Sequence, residues 1–519
     1  MTVASPAMPP TRTGAGRAWV LAFVVSGILY ALTAAPGVLW GDSGEIQLYL
    51  LLEDWLVGGN LCRSHPTYYA AARFFAAVLP FSPARCANLA AAFFGAVTAA
   101  NAAWLLRTWC RHDAAAACGV TVLALSHTFW QMSTNAEVLT TYTALLTLEW
   151  ICVTRLVRTS KANWATAAAL CSGLGWATHN MSMLSFPAYF VLAWRMRRVV
   201  RSWGICRLAG IAAAWAAGFA PLVAVAAANL EAFDGAGALI RSWLIGGYGP
   251  RVYNVSGIPR LLAISAGFLV LNFPGPLLLL AGPGLRAAHA RIGASLSAFL
   301  ATAVGILMLF AVRYNVADQY TFLIGVYVAV ALAIGCGVDA HLDRARRSAD
   351  PGAMRRRERI CVAFALVSPL VYAALPSGIR ALAPGFQPVR AVAYRDPLTW
   401  VLHPWRVGYE APQRFVEDAF AVLPHGAALI ADTQVFGPIN YTQIAEGRRL
   451  DVRIIQRIAR QPWLTPITDS DALIRAHFEA GTLYAAFPAA PYVPKWLADQ
   501  AAFEPVGPLF KVVPRKQGS

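Results

Sequence analysis

Apolar residues run along most of this chain in long uninterrupted stretches, and charged residues gather between them. A membrane helix needs about 20 predominantly apolar residues, because the hydrocarbon core is ~30 Å thick and a helix rises ~1.5 Å per residue. Charge-free windows span 18–41, 86–106, 114–136, 208–230, 261–285, 292–312, 319–338 and 360–379, and 138–154 carries one charge, Glu149. The window 162–194 is long enough for two short spans, with Thr178-His179-Asn180 as the turn. The pattern predicts eleven helices, apolar all round, since unpaired backbone groups are too costly in lipid.

From Arg380 to Ser519 no run is long enough to span. There 427–431 and 452–455 read as strands, 435–446 and 469–480 as helices, 482–487 as a third strand, and 503–513 as a hairpin around Gly507-Pro508. The predicted fold class is an all-α polytopic membrane domain, residues 1–379, followed by a soluble α/β domain, residues 380–519.

Composition supports that class. Of 519 residues, 58% are hydrophobic and 13% charged, against about a quarter charged in ordinary soluble domains. This excludes a water-soluble enzyme of this size and a disordered chain. The nine cysteines form no CxxC pair and no Cys/His metal spacing, so they read as small apolar packing residues.

The net charge of +17 would suit nucleic acid, but its placement points elsewhere. With the N-terminus in the cytoplasm, the cytoplasmic ends hold 21 basic residues, seven of them arginines between Arg344 and Arg359. The others are Arg12 and Arg17, Arg107 and Arg111, the 155–161 and 195–207 groups, and Arg286 and Arg291. The opposite loops hold seven: Arg63, Arg73, Arg85, Arg241, Arg251, Arg260 and Arg313. That bias follows the positive-inside rule, so no nucleic-acid partner is expected. It predicts a multi-pass protein of a bacterial-type inner membrane, with a cytoplasmic N-terminus and a periplasmic C-terminal domain. Arg12, Arg17, the first apolar run and Thr33-Ala34-Ala35 also resemble a signal peptide. The run exceeds a typical h-region and ten more spans follow, so an uncleaved first helix is expected.

Polar groups near membrane helices are expensive and therefore functional candidates. Five clusters stand out: 41–45 (GDSGE), 63–69 (RSHPTYY), 127–137 (HTFWQMSTNAE), 178–180 (THN) and 313–320 (RYNVADQY). All five fall on the non-cytoplasmic side of the charge-derived topology. Asp42 and Glu45, three apart, would share one side of a helical turn, where a carboxylate reaching an acceptor proton serves as general base. The bland alternative is helix N-capping by Asp42 or Ser43, completed by Glu45. Gly-Asp-Ser-Gly also matches the nucleophile loop of trypsin-like proteases, but only forty residues precede it, too few for the required fold.

Arg63 and His65 would bind an anionic group such as a lipid-linked phosphate, or anchor their loop to headgroups. His179 and Asn180 either bind substrate or cap helix ends. Glu137 either faces the same cavity or caps the next helix, and a mutual ion pair would account for Arg313 and Asp318. Phe129, Trp130, Tyr314 and Tyr320 sit where an interfacial aromatic belt is expected, and Glu149 is expected to pair inside the bundle.

The run Leu39-Trp40-Gly41-Asp42-Ser43-Gly44-Glu45 resembles the W-D-S-G-E signature of the domain-of-unknown-function 2723 family, which includes a vertebrate protein O-mannosyltransferase. Later motifs follow in similar order: His65-Pro66-Thr67-Tyr68, then Thr128-Phe129-Trp130-Gln131 and Ala136-Glu137-Val138, Gly173-Leu174 to His179-Asn180, and Val316 to Tyr320. The likeness covers mainly 18–200 and then patches, including 423–452. The chain departs from the pattern where Gly41 is inserted before Asp42, where Pro-Gly becomes Thr67-Tyr68, and where His179-Asn180 reverses the usual order.

The resemblance implies a GT-C type membrane glycosyltransferase, a bundle of about eleven helices that moves a sugar from a polyprenyl-phosphate donor to a hydroxyl of a protein or glycan. It implies Asp42 as base, with Glu45 second. Arg63, His65, Tyr68, Glu137, His179, Asn180, Arg313 and Asp318 are the candidate substrate-binding residues. No Asp-x-Asp motif is visible, so metal independence is expected and no cofactor is indicated. Amphipathic helices at 46–56 and 68–78 would shape the lipid's way in. The alternatives are a transporter or flippase of a lipid-linked saccharide, which would place its site near the midplane between repeats, and a non-catalytic assembly protein. Reporter fusions after residues 42 and 318 are expected to report the same side of the membrane; opposite sides would dismantle the single-site reading.

Overall fold

The computed structural model describes residues 14–346, 351–456 and 470–515; Arg12, Arg347 and Asp469, used above, lie outside the described residues. The chain is mostly helical, with a small sheet near its C-terminus. Among the described residues, five helices are long and apolar enough to cross a membrane: Ala15–Thr33, Pro83–Trp109, Ile205–Ala228, Pro276–Ala311 and Gln319–Arg346. Two bent pairs, His127–Thr134 with Leu139–Thr159 (117°) and Gly352–Ala365 with Ser368–Leu382 (42°), raise the number to seven if each counts as one span.

The sequence pattern predicts eleven, and the difference has a backbone cause. Window 114–136 splits into Asp113–Ala124 and the eight-residue His127–Thr134. Window 261–285 breaks at Phe273-Pro274-Gly275, leaving a 15-residue helix, Ile258–Asn272. Counting charge-free residues treats Ser, Asn and Pro as helix interior, whereas the backbone turns there.

The bundle has two chemically distinct ends. Asp318 precedes the helix Ile324–Arg346, and Asp339 and Asp343 lie near its other end, about 30 Å away at ~1.5 Å per residue. At that far end Arg291 pairs with Asp339 and with Asp343 (3.1 Å), and Asp343 also takes Arg111 (3.2 Å) and His112 (3.1 Å). Arg111 and Arg291, assigned to one face by charge counting, thus meet at one end. All nine cysteines are free thiols.

In the C-terminal region five strands form one sheet in the order β2-β1-β3-β5-β4: β1 Ala428–Ala431, β2 Arg453–Gln456, β3 Leu483–Ala485, β4 Ala501–Val506 and β5 Leu509–Pro514. β1 runs parallel to β2 and β3, and β5 pairs antiparallel with β3 and β4. Leu429 and Ala431 pack with Phe415, Phe420 and Ile439 on one face. Ala428 and Ile430 pack with Ile455, Ile474 and Leu497 on the other. Burial on both faces explains why β1 is a continuous apolar run and not an alternating one.

This sheet unit is seated on the first loop of the bundle. Trp40 is buried in the core around Phe415, crosses its ring at 78°, and donates from Nε1 to the Tyr409 hydroxyl (2.8 Å). The helix Gly41–Leu52 lies against Phe436–Glu446 at a glycine contact. A Cβ on Gly437 would stand 2.4 Å from the Gly44 carbonyl carbon, and one on Gly44 would stand 2.2 Å from Leu39 O. Gly437→Ala is therefore expected to destabilise the chain by about 1–3 kcal/mol, the usual cost of overpacking. The check is a lowered Tm in detergent; an unchanged Tm would show that the two backbones do not need this approach.

Candidate functional site

The polar clusters converge. A cavity of about 730 Å³ is lined by Asp42, Ser43 and Glu45, by Arg63 and His65, by Gln131, Asn135 and Glu137, by His179 and Asn180, and by Asp318 and Tyr320. Each of the five sequence clusters contributes. Three of them sit where a helix is interrupted: after Thr134, after Trp176 and after Ala311. Backbone freed by such breaks is tolerated within a bundle where it lines a protein cavity.

The first cluster is set by local backbone chemistry. Gly41 has φ +61, in the left-handed region that glycine enters without strain, and its N–H donates to Gln434 O (3.1 Å). This gives the residue inserted before Asp42 a geometric role. Gln47 accepts from Leu39 N (2.9 Å) and donates to Ala84 O (3.1 Å) and Asn88 Oδ1 (3.0 Å), fixing the entering strand of chain. The capping alternative is not realised: Trp40 is the N-cap, no side chain caps the helix, and Ser43 Oγ donates to Glu137 Oε1 (2.9 Å). Asp42 stands exposed in the first turn, where the helix dipole favours a carboxylate.

Glu45 is different. It is 4% exposed, accepts from Arg63 Nη2 at 2.5 Å, and takes a second bond from Gln456 Nε2 (3.2 Å) on β2. Burial pushes its carboxyl above the ordinary range; the Asp42 charge adds to this, and Arg63 opposes it. Burial, then the charge of Asp42, pushes Asp318 up to about 6.

Both histidines are depressed by burial, His65 to about 4 and His179 to about 3, so both rings are neutral at pH 7. The rings stack at 5.6 Å, 2° from parallel. His65 Nδ1 lies 2.7 Å from Thr178 O, which can only accept, so Nδ1 carries the proton and Nε2 is an acceptor. A neutral ring in that tautomer cannot donate to a phosphate. His179 Nδ1 accepts from Met181 N (3.1 Å), capping the turn Asn180–Ser185 while the ring lines the cavity.

Two candidates stand apart from this group. The Tyr68 hydroxyl is buried and donates to Ala87 O (2.9 Å), a packing role. Arg313 is not among the cavity-lining residues; its Nε donates to Asn254 O (3.3 Å), and the expected ion pair with Asp318 is not formed among the described residues. Asn180 both lines the cavity and ties its loop to Trp243 O (2.6 Å). Phe129, Trp130 and Tyr314 are buried core residues and Tyr320 stacks on Phe268 at 3.9 Å, so they are no interfacial belt. Glu149 accepts from Tyr189 OH (2.7 Å) within the bundle, as expected.

The cavity also takes residues that the sequence pattern did not single out: Tyr248, Arg251, Trp400 and Gln434. Arg251 entered the charge count as one loop cation among seven. Trp400 and Gln434 lie in the C-terminal part of the chain, more than 350 positions from Asp42 and in no polar cluster beside a span.

Comparison with known proteins agrees with the sequence resemblance. Residues 64–202 match the family described as the protein O-mannosyl-transferase TMEM260 N-terminal domain. The crystal structure of ArnT from Cupriavidus metallidurans in the apo state matches 96% of this chain and 98% of that one, with a TM-score of 0.53 at 13% identity. The chain therefore has the ArnT fold. No curated protein matches by sequence.

Removing one partner of a buried ion pair strands the other charge. Glu45→Ala is accordingly expected to cost about 3 kcal/mol or more, and the double replacement Glu45→Met with Arg63→Leu to cost less than the single one. Thermal melts of Glu45→Ala, of Glu45→Met and Arg63→Leu singly, and of the double variant check this; a double variant as unstable as the sum of its two single replacements would exclude the coupling.

Proposed function

We propose that the chain is a GT-C type membrane glycosyltransferase, with O-mannosyl transfer as its specific form, moving a hexose from a polyprenyl-phosphate donor to an acceptor hydroxyl. The observation that carries this reading is the different treatment of two carboxylates three residues apart. Glu45 is buried and committed to Arg63 and Gln456, whereas Asp42 is exposed at the wall of a polar cavity.

In this mechanism Asp42 takes the proton of the acceptor hydroxyl, and the oxygen forms its new bond to the anomeric carbon. The bond from that carbon to the phosphate oxygen breaks, and its electron pair leaves with the polyprenyl phosphate. Arg63 and Arg251 are the guanidinium groups of the lining, suited to the growing phosphate charge. Glu45 positions Arg63. Ser43, bonded to Glu137, keeps the acidic turn facing the cavity.

The inner-membrane location, the external face of the cavity and the periplasmic C-terminal domain belong to the same proposal, supported by the three-to-one bias of basic residues. The cavity's place beside Asp318, ahead of the span and not at its middle, favours an enzyme over a midplane transporter. Membranes carrying Asp42→Asn at wild-type protein levels are expected to lose sugar transfer from polyprenyl-phosphate mannose by about 10²–10⁴-fold, the usual share of a general base. Undiminished transfer would remove Asp42 from that role.

A further inference from the structure

The C-terminal domain supplies part of the cavity wall, and one side chain there is held with unusual completeness. Gln434 N donates to Asp432 Oδ1 (2.8 Å) and Asp432 Oδ2 pairs with Arg390. Arg390 O accepts from Arg395 Nη2 (2.7 Å), and Arg395 Nη1 donates to Gln434 Oε1. The four residues close a ring. Arg395 is 5% exposed, and Arg390 is packed 4.2 Å from both the Phe487 and Tyr492 rings, so the ring is stiff.

A guanidinium group only donates, so the amide oxygen of Gln434 must face Arg395 and its NH₂ must face away. Gln434 lines the cavity beside Gly41, whose N–H it holds through its own carbonyl. The domain thus carries an oriented hydrogen-bond donor next to Asp42. Trp400 lines the same cavity, its ring packed by Arg406 at 4.3 Å. An aromatic ring together with a fixed amide donor matches the two surfaces of a pyranose: an apolar C–H face and a rim of hydroxyl oxygens.

We propose that Gln434 and Trp400 form the hexose subsite of the cavity, with Gln434 Nε2 donating to a sugar hydroxyl and Arg395 acting as its positioning residue. The inference rests on the donor reading given under the proposed function and extends it to residues of the C-terminal domain. Through it, that domain reads the sugar and does more than brace the loops.

The test is titration of the full-length detergent-solubilised chain with polyprenyl-phosphate mannose and with unsugared polyprenyl phosphate. The wild-type chain is expected to prefer the mannosylated lipid. Gln434→Glu keeps the link to Arg395 but loses both N–H donors, and should weaken mannosylated-lipid binding about tenfold, the scale of a lost hydrogen bond. Its affinity for the bare lipid should move less than about twofold on that scale. Arg395→Met, which frees the amide, should reproduce the loss with Gln434 intact, and Trp400→Leu, which removes the ring packed 5.6 Å from the Arg395 guanidinium, should weaken mannosylated-lipid binding as well.

A Gln434→Glu chain that keeps the full preference overturns the subsite while leaving the donor reading in place. Equal loss for both lipids overturns it too, by assigning the amide to the phosphate. A wild-type chain that binds neither lipid overturns the donor reading, and the subsite with it.

Discussion

The contact between Gly44 and Gly437 is the constraint on which the site depends. The backbone of Gly44 comes so close that Gly437 has no room for a Cβ, while Leu39 O of the preceding loop leaves none at Gly44. The approach lets the helix Gly41–Leu52 lie directly on the helix Phe436–Glu446, with Trp40 sunk into the core of the sheet domain. The arrangement at this end of the cavity follows. Gly41 meets Gln434, Glu45 meets Gln456, and Asp42 is left at the wall of the cavity. A larger residue at Gly437 would separate the surfaces and move the acidic turn with them.

Environment, not identity, separates the two acids of that turn. Glu45 is taken out of water and must be compensated, and Arg63 and Gln456 do this from two different parts of the chain. Asp42 keeps its exposure. The same division applies to the bases: His65 and His179 are neutral stacked rings, so cationic chemistry in the lining falls to arginine. In a buried cavity wall, guanidinium groups keep their charge where desolvation takes it from an imidazole.

The broken helices belong to the same design. A continuous span satisfies its own backbone but offers no turn from which polar side chains can converge. The interruptions after Thr134, Trp176 and Ala311 bring Glu137, His179 and Asp318 to one place. Further breaks, at Leu125-Ser126 and Phe273-Pro274-Gly275, account for part of the difference between the five to seven long apolar spans among the described residues and the eleven that charge-free windows predict. The windows respond to charge, and the chain breaks at uncharged Ser, Asn and Pro.

The sequence by itself determined the membrane class, the boundaries of most strands and helices in the C-terminal domain, and the five polar clusters that share a cavity. These are local properties: apolar run length, alternation, and the cost of a polar group beside lipid. Gly41, Trp40 and Asp42 could be read as a motif for the same reason. Only the tertiary structure decided that Asp42 is open while Glu45 is paired, that Tyr68 and Arg313 stay out of the cavity, and that Gln434 and Trp400 enter it. Those outcomes depend on which distant backbone can approach which, and a chain's local pattern does not encode a contact between positions 44 and 437.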